Sequence, residues 1–246
     1  MLHRVDHSAQ RSPWRDKPGP VAVFCAALMA IVLILSPWPA APVVFLLVLL
    51  AASGPGRVPI GLFVRVLTAP AGFAVLGGCA LALSVRWQAG PQVEVSPEGW
   101  RLGLGVAART MAAASVTLLF ALSVPLARQT ALGRKLGLSE SLMDLMGLVY
   151  RMLFLLEESR EMILQTQVNR LGYRNTRLAL RSVVMDGSGL FERSMSRARA
   201  MERGLAARGY DGRLRVLLSP DQSRPRDYLA AVLVPATLAG AIVFFP

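Results

Sequence analysis

The sequence predicts an all-α, polytopic membrane protein with about five transmembrane helices and one water-exposed helical insert. Three observations carry this. Of 246 residues 54% are hydrophobic, yet the formal charge is +12. Mean hydropathy is +0.47, above what a soluble domain with this many charges reaches. The apolar runs and the charges are also segregated along the chain, as a bilayer-spanning fold requires.

Residues 1–20 make a polar N-terminal arm. Its twenty residues are too long and too mixed for a signal-peptide n-region, and no A-x-A-like site follows the first apolar run, so the arm is expected to be retained. Membrane helices 1–4 fall within 21–127. The first runs from Val21 to Ser36. A short second, Ala40 to Ser53, is set off by Pro37-Trp38-Pro39, which reads as a tight hairpin with an interfacial Trp. Both full crossing and a re-entrant hairpin suit these two. Ile60 to Val85 is the third, broken by Pro70 and Gly77-Gly78, and Leu102 to Leu126 is the fourth. The last helix occupies 228–246, with its apolar run from Tyr228 to Phe245.

Basic residues orient the chain. The arm holds four (Arg4, Arg11, Arg15, Lys17), and the segment 128–227 holds eighteen against eleven acids. With five crossings in all, four of them between the arm and this segment, both come out on one face, which the positive-inside rule makes cytoplasmic. The loop 86–101 mixes Arg86 and Arg101 with Glu94 and Glu98.

The insert is the informative part. From Ser139 the apolar positions Leu142, Leu145, Val149, Met152, Leu156, Ile163 and Val168 hold helical spacing. Ser139 is a suitable N-cap, and Glu140 suits the first turn. This helix runs to Asn169 and closes on Arg170-Leu171-Gly172-Tyr173, where the Gly is expected to take the left-handed conformation. A second helix is expected after Asp186-Gly187-Ser188-Gly189, with Phe191, Met195, Met201 and Leu205 on its apolar face. It closes on Ala207-Arg208-Gly209-Tyr210. A late Arg and a terminal Gly are ordinary in one helix. Two such ends, 38 residues apart, suggest anchors that enter grooves on another protein and pair with its carboxylates.

Several chemistries are disfavoured. The two lysines, Lys17 and Lys135, sit in no P-loop context. His3 and His7 lack an evident third ligand beyond Asp6, and a solvated terminus accounts for them. Cys25 and Cys79 lie inside apolar runs and suggest no disulfide. The membrane segments contain Arg65 and Arg109 but no acid, which offers no route for ions. Arg65 can snorkel to the headgroups. For Arg109 two roles stay open: capping carbonyls between helices, or meeting a partner subunit. Gly99, Gly103 and Gly72 through Gly78 permit close helix packing.

At these residues the chain resembles the T component of energy-coupling factor transporters, cobalt type (CbiQ-like). The likeness spans the arm, four hydrophobic segments, the insert and the final helix, and is most specific over 139–212. The family carries two Ala-Arg-Gly motifs at the ends of coupling helices. Ala207, Arg208 and Gly209 match the second, whereas the first departs as Asn169, Arg170, Leu171, Gly172. The resemblance implies a non-catalytic subunit whose coupling helices dock on ABC-type ATPase subunits in a bacterial inner membrane. It implies that this chain binds no cofactor: ATP sits on the ATPase, and Co²⁺ on a separate metal-binding membrane S component. A small accessory membrane subunit is a further expected partner, and nucleic acid is not one. Alternatives are a T component for Ni²⁺ or a vitamin, a stand-alone membrane carrier, or an anionic-lipid binder.

Overall fold

The computed structural model describes residues 2–35, 37–87, 91–95, 97–211 and 221–244; Ser36, Gly212 and Phe245 of the predicted elements lie outside them. The helices in chain order are α1 (Leu2–Arg11), α2 (Pro18–Ile34), α3 (Pro37–Ser53), α4 (Ile60–Ala82), α5 (Pro97–Ser123), α6 (Leu126–Lys135), α7 (Glu140–Asn169), α8 (Thr176–Ala206) and α9 (Pro225–Phe244). A 3₁₀ turn, Pro13–Asp16, follows α1, and a two-stranded antiparallel hairpin of β1 (Leu83–Trp87) and β2 (Pro91–Val95) joins α4 to α5. The chain divides into two compact units, one of 1–129 with 219–246 and one of 130–218.

The first unit is a bundle of the five apolar helices. α4, α5 and α9 have 23, 27 and 20 residues and are long and apolar enough to cross a membrane. α2 has 17 residues, and the regular part of α3, Ala40–Ser53, is shorter still. At 1.5 Å per residue α2 reaches about 25 Å, short of the roughly 30 Å hydrocarbon core. α3 breaks at Trp38, whose extended backbone (φ −123°, ψ 118°) is what a residue before proline adopts. Leu28, Val44, Phe63, Leu119 and Leu122 fill the centre, each essentially inaccessible.

Hydrogen bonds gather alternate helix ends at one end of this bundle. Ser12 Oγ donates to the carbonyl of Gly56 (3.0 Å), just past α3, and Ser8 Oγ to that of Leu122 (3.4 Å), at the end of α5. Lys17 pairs with Asp227 (2.9 Å) in the first turn of α9, and Arg128 with Asp16 (2.7 Å). The Gln222 amide donates to the Asp16 carbonyl (3.0 Å). The chain therefore leaves the bundle after α5 and re-enters it before α9 at the end that holds its N-terminal arm.

Four sequence expectations change. The arm is not a solvated tail: α1 and the 3₁₀ turn pack on the bundle through buried Ser8, Ala9 and Ser12. α4 runs unbroken through Pro70 and Gly77-Gly78, because its other hydrogen bonds hold the rod together where one donor is missing. The third apolar run stops at Ala82 rather than Val85, and most of the expected 86–101 loop is strand or the start of α5. The alternation Val85/Trp87 and Val93/Val95 is a period-two signal inside an otherwise helical reading. Finally, α8 does not begin after Gly189. Asn175 caps it, its Oδ1 accepting from the Leu178 amide (2.9 Å), and the helix passes straight through Asp186-Gly187-Ser188-Gly189. Two glycines cost about 1 kcal/mol each against alanine, and a 31-residue helix absorbs that.

Close backbone approach holds α4 against α5. A Cβ on Gly103 would collide with the Gly78 carbonyl oxygen, and one on Gly99 would lie 2.7 Å from the Leu81 oxygen. These glycines let two helices touch along their backbones, which is how apolar helices associate without a hydrophobic driving force.

Candidate functional site

The second unit opens with a tight corner. The left-handed Gly137 (φ +86°) ends α6, and Ser139 Oγ accepts from the Leu142 amide (3.3 Å) to start α7. Met143 packs where a side chain on Gly133 would otherwise stand, and Arg134 pairs with the buried Asp144. That corner fixes the start of α7.

α7 ends in a closed cap. Asn169 is its last helical residue, Arg170 is the C-cap at φ −88° and ψ 11°, and Leu171 turns left-handed at φ +58°. The Leu171 amide donates to the Val168 carbonyl (3.0 Å) and the Gly172 amide to the Gln167 carbonyl (2.9 Å). This bond pair is a Schellman cap and satisfies two of the carbonyls a helix end leaves open. α8 ends the same way. Gly209 is left-handed at φ +69°, its amide donates to Ala206 (3.1 Å), and the Tyr210 amide donates to Leu205 (3.1 Å).

Superposed by conformation, the two ends read Asn169-Arg170-Leu171 and Ala207-Arg208-Gly209. Each arginine directly precedes the left-handed residue. This corrects the expectation for Gly172: the left-handed position belongs to Leu171, and Gly172 lies one residue further on. Gly172 is small for a different reason. A Cβ there would lie 2.5 Å from Ser182 Oγ, and that hydroxyl donates to the Gly172 carbonyl (3.0 Å). Ser182 thus locks the turn between the helices. Tyr173 adds a second tie, its hydroxyl donating to Asp186 Oδ2 (2.7 Å). The carboxylate acceptor holds the Tyr173 hydroxyl above the usual phenol range, with the Asp186 charge adding to the effect.

α7 and α8 run antiparallel. Near the turn Arg160 and Leu164 stand opposite Val183 and Leu190; far from it Met152 and Leu156 stand opposite Met201 and Leu205. Arg170 therefore sits at the turn and Arg208 at the far end, about 46 Å along a 31-residue rod. Both side chains are exposed, and neither is hydrogen-bonded or ion-paired to a described residue. Between the end of α8 and the middle of α7 lies an apolar groove of about 510 Å³, lined also by Tyr210. Leu145, Val149, Val184 and Phe191 expose 51–68% of their surface, so the pair keeps large apolar area uncovered.

The membrane unit places Arg109 in a local role. Its Nη2 donates to the Leu35 carbonyl (2.7 Å) at the C-terminal end of α2, the interhelical capping the sequence left open beside a partner contact. Asp6 accepts from Gln10 (2.9 Å) on the outer side of α1. Among the described residues no three His, Cys, Asp or Glu side chains gather as a metal site.

Comparison with known proteins decides the family. The model described as CbiQ, cobalt transport protein, matches residues 10–218. The chain belongs to the CbiQ family of cobalt transport proteins. It is similar to the cobalt transport protein CbiQ of Rhodobacter capsulatus, 29% identical over 223 residues that cover 90% of each chain. It is also similar to an uncharacterized protein of Methanocaldococcus jannaschii, 27% identical over 65% of this chain and 63% of that one. With the apolar bundle, this makes the chain a membrane component of a cobalt transport system.

Sequence reasoning named Leu171 and Tyr173 at this helix end but not their roles, and it missed Ser182. The turn at Leu171 carried no signal, since leucine rarely turns left-handed. The roles of Ser182 and Tyr173 were legible only once α8 was known to start at Thr176, which brings position 182 over the turn.

Proposed function

We propose that this CbiQ-family chain is the transmembrane coupling subunit of an ATP-driven metal-ion importer, with Co²⁺ as cargo. It catalyses nothing itself. ATP is hydrolysed on separate ABC-type ATPase subunits, and the cation is held by a metal-binding membrane S component, with room in the assembly for a small accessory membrane subunit. The chain lies in the inner membrane of a bacterium with its N-terminus and second unit in the cytoplasm, as the excess of basic residues in those segments favours.

The observation that carries this reading is the repeated helix end: an exposed arginine directly before a left-handed residue, at each tip of an antiparallel pair. Neither guanidinium is hydrogen-bonded or ion-paired to a described residue, and each offers a planar, bidentate donor to a carboxylate. Two such tips about 46 Å apart suit a grip on two ATPase subunits rather than one. Closure of those subunits on ATP would then pull or tilt α7 and α8 as stiff rods. Their uncovered apolar faces pass the motion to the S component.

Co-expression with an ABC ATPase and purification in detergent test this. The ATPase is expected to co-elute with the wild-type chain, and Arg170→Glu with Arg208→Glu to release it while the membrane unit stays folded. A complex of unchanged stability in the double variant would defeat the proposal.

A further inference from the structure

At the end of the bundle that holds the arm, a crevice of about 420 Å³ opens between α2, α3 and α9. Its walls are apolar: Phe24 from α2, Leu47 from α3 and Val234 from α9. Its mouth is polar, formed by Trp14 and by the ion pair of Lys17 with Asp227 (2.9 Å). The volume lies within the roughly 300–1,000 Å³ typical of small-molecule sites. A solute from water would find almost nothing to hydrogen-bond on these walls.

The charges at the mouth are unbalanced. Asp16 is already engaged by Arg128 (2.7 Å) and Arg15 (3.5 Å), and Asp227 by Lys17 and by the Arg224 amide (2.9 Å). Arg224 and Arg226 at the start of α9 are exposed; Arg224 acts on Asp227, which Lys17 already pairs, and neither side chain makes a close ion pair with a described residue. Trp14 is fixed at the same level: Ser12 Oγ accepts its amide (3.2 Å), and its ring meets Phe24 edge-on at 6.3 Å. An aromatic ring beside basic residues above an apolar slot is the pattern of a membrane–water boundary.

We propose that this crevice holds one anionic phospholipid. An acyl chain lies between Phe24, Leu47 and Val234, and the phosphate sits at Arg224, Arg226 and Lys17. Such a lipid fills the gap beside α9, which among the described residues packs mainly on α2 and only slightly on α3.

The test uses the full chain with Trp38, Trp87 and Trp100 changed to Phe, so that Trp14 alone reports, in neutral detergent micelles. Phosphatidylglycerol with brominated chains is titrated in, and brominated phosphatidylcholine serves as the comparison. Saturable quenching by phosphatidylglycerol, displaced by its unbrominated form and not by phosphatidylcholine, is expected. Arg224→Gln with Arg226→Gln should weaken it by about fivefold per charge removed. Ala230→Phe, an exposed position that lines the crevice, should abolish it. Equal quenching by both lipids, or quenching that survives Ala230→Phe, would mean that Trp14 meets only bulk lipid, and would overturn the proposal. If Ala230→Phe cannot be purified as a single species, headgroup selectivity in the Arg224/Arg226 variant decides alone.

Discussion

Leu171 and Gly209 occupy the same left-handed position, at φ +58° and φ +69°, and this gives a pair of substitutions with opposite expected signs. A residue with a Cβ in that conformation costs roughly 1–2 kcal/mol. Glycine removes that strain but gives back about 0.5–1 kcal/mol in backbone entropy. Leu171 is 65% exposed, so its side chain contributes little burial to lose. Leu171→Gly should therefore stabilise the end of α7 by a net of about 0.5–1 kcal/mol. Gly209→Ala should destabilise the end of α8 by about the same, and purely through conformation, since nothing lies within 4 Å of the added Cβ. Amide hydrogen exchange reads both locally. The Gly172 amide should exchange about two- to fivefold more slowly in Leu171→Gly, and the Tyr210 amide correspondingly faster in Gly209→Ala. If the two substitutions shift exchange in the same direction, or if Leu171→Gly loosens the cap, the two ends are not equivalent and the correspondence of Arg170 with Arg208 fails.

Tyr173 gives a pH test. Its hydroxyl ionises above the usual phenol range because Asp186 accepts its proton in a hydrogen bond, so the tie is whole below the ordinary phenol value and is lost as pH rises through the raised one. Of the four tyrosines Tyr173 should be late to ionise in an absorbance titration, and Asp186→Asn should bring it down. Gly172→Ala should destabilise the turn by about 1–3 kcal/mol through its clash with Ser182, and Ser182→Gly should recover part of that loss in the double variant, as thermal melts would read. Gly103→Leu should separate α4 from α5 and lower the melting temperature of the detergent-solubilised chain, whereas Gly72→Leu, with nothing within 4 Å of its Cβ, should not.

The membrane unit was largely legible because bilayer helices must be apolar along their length, so hydropathy marks them directly. Their ends were less so. Pro70 and Gly77-Gly78 look like breaks by soluble-helix rules, yet the flanking turns keep α4 whole. In the insert, helical spacing found α7 from its cap at Ser139 to its last residue, Asn169. It misplaced the start of α8 because Asp-Gly-Ser-Gly is a stronger local turn signal than a lone Asn cap. The short α6 carries too few apolar positions to stand out. Arg170 and Arg208 were visible as a repeated pair, but their shared backbone role was not. Sequence alignment by glycine points to Gly172, and only the dihedral angles assign that role to Leu171.

The claim that two arginine-headed helices carry an ATPase's motion into the membrane is tested most directly by transport. Vesicles containing this chain, its ABC ATPase and its metal-binding partner should accumulate Co²⁺ on addition of ATP. The account predicts that Arg170→Glu with Arg208→Glu stops that accumulation while each ATPase still binds nucleotide. Uptake at the wild-type rate in the double variant, or ATP-independent uptake by this chain alone, would contradict it.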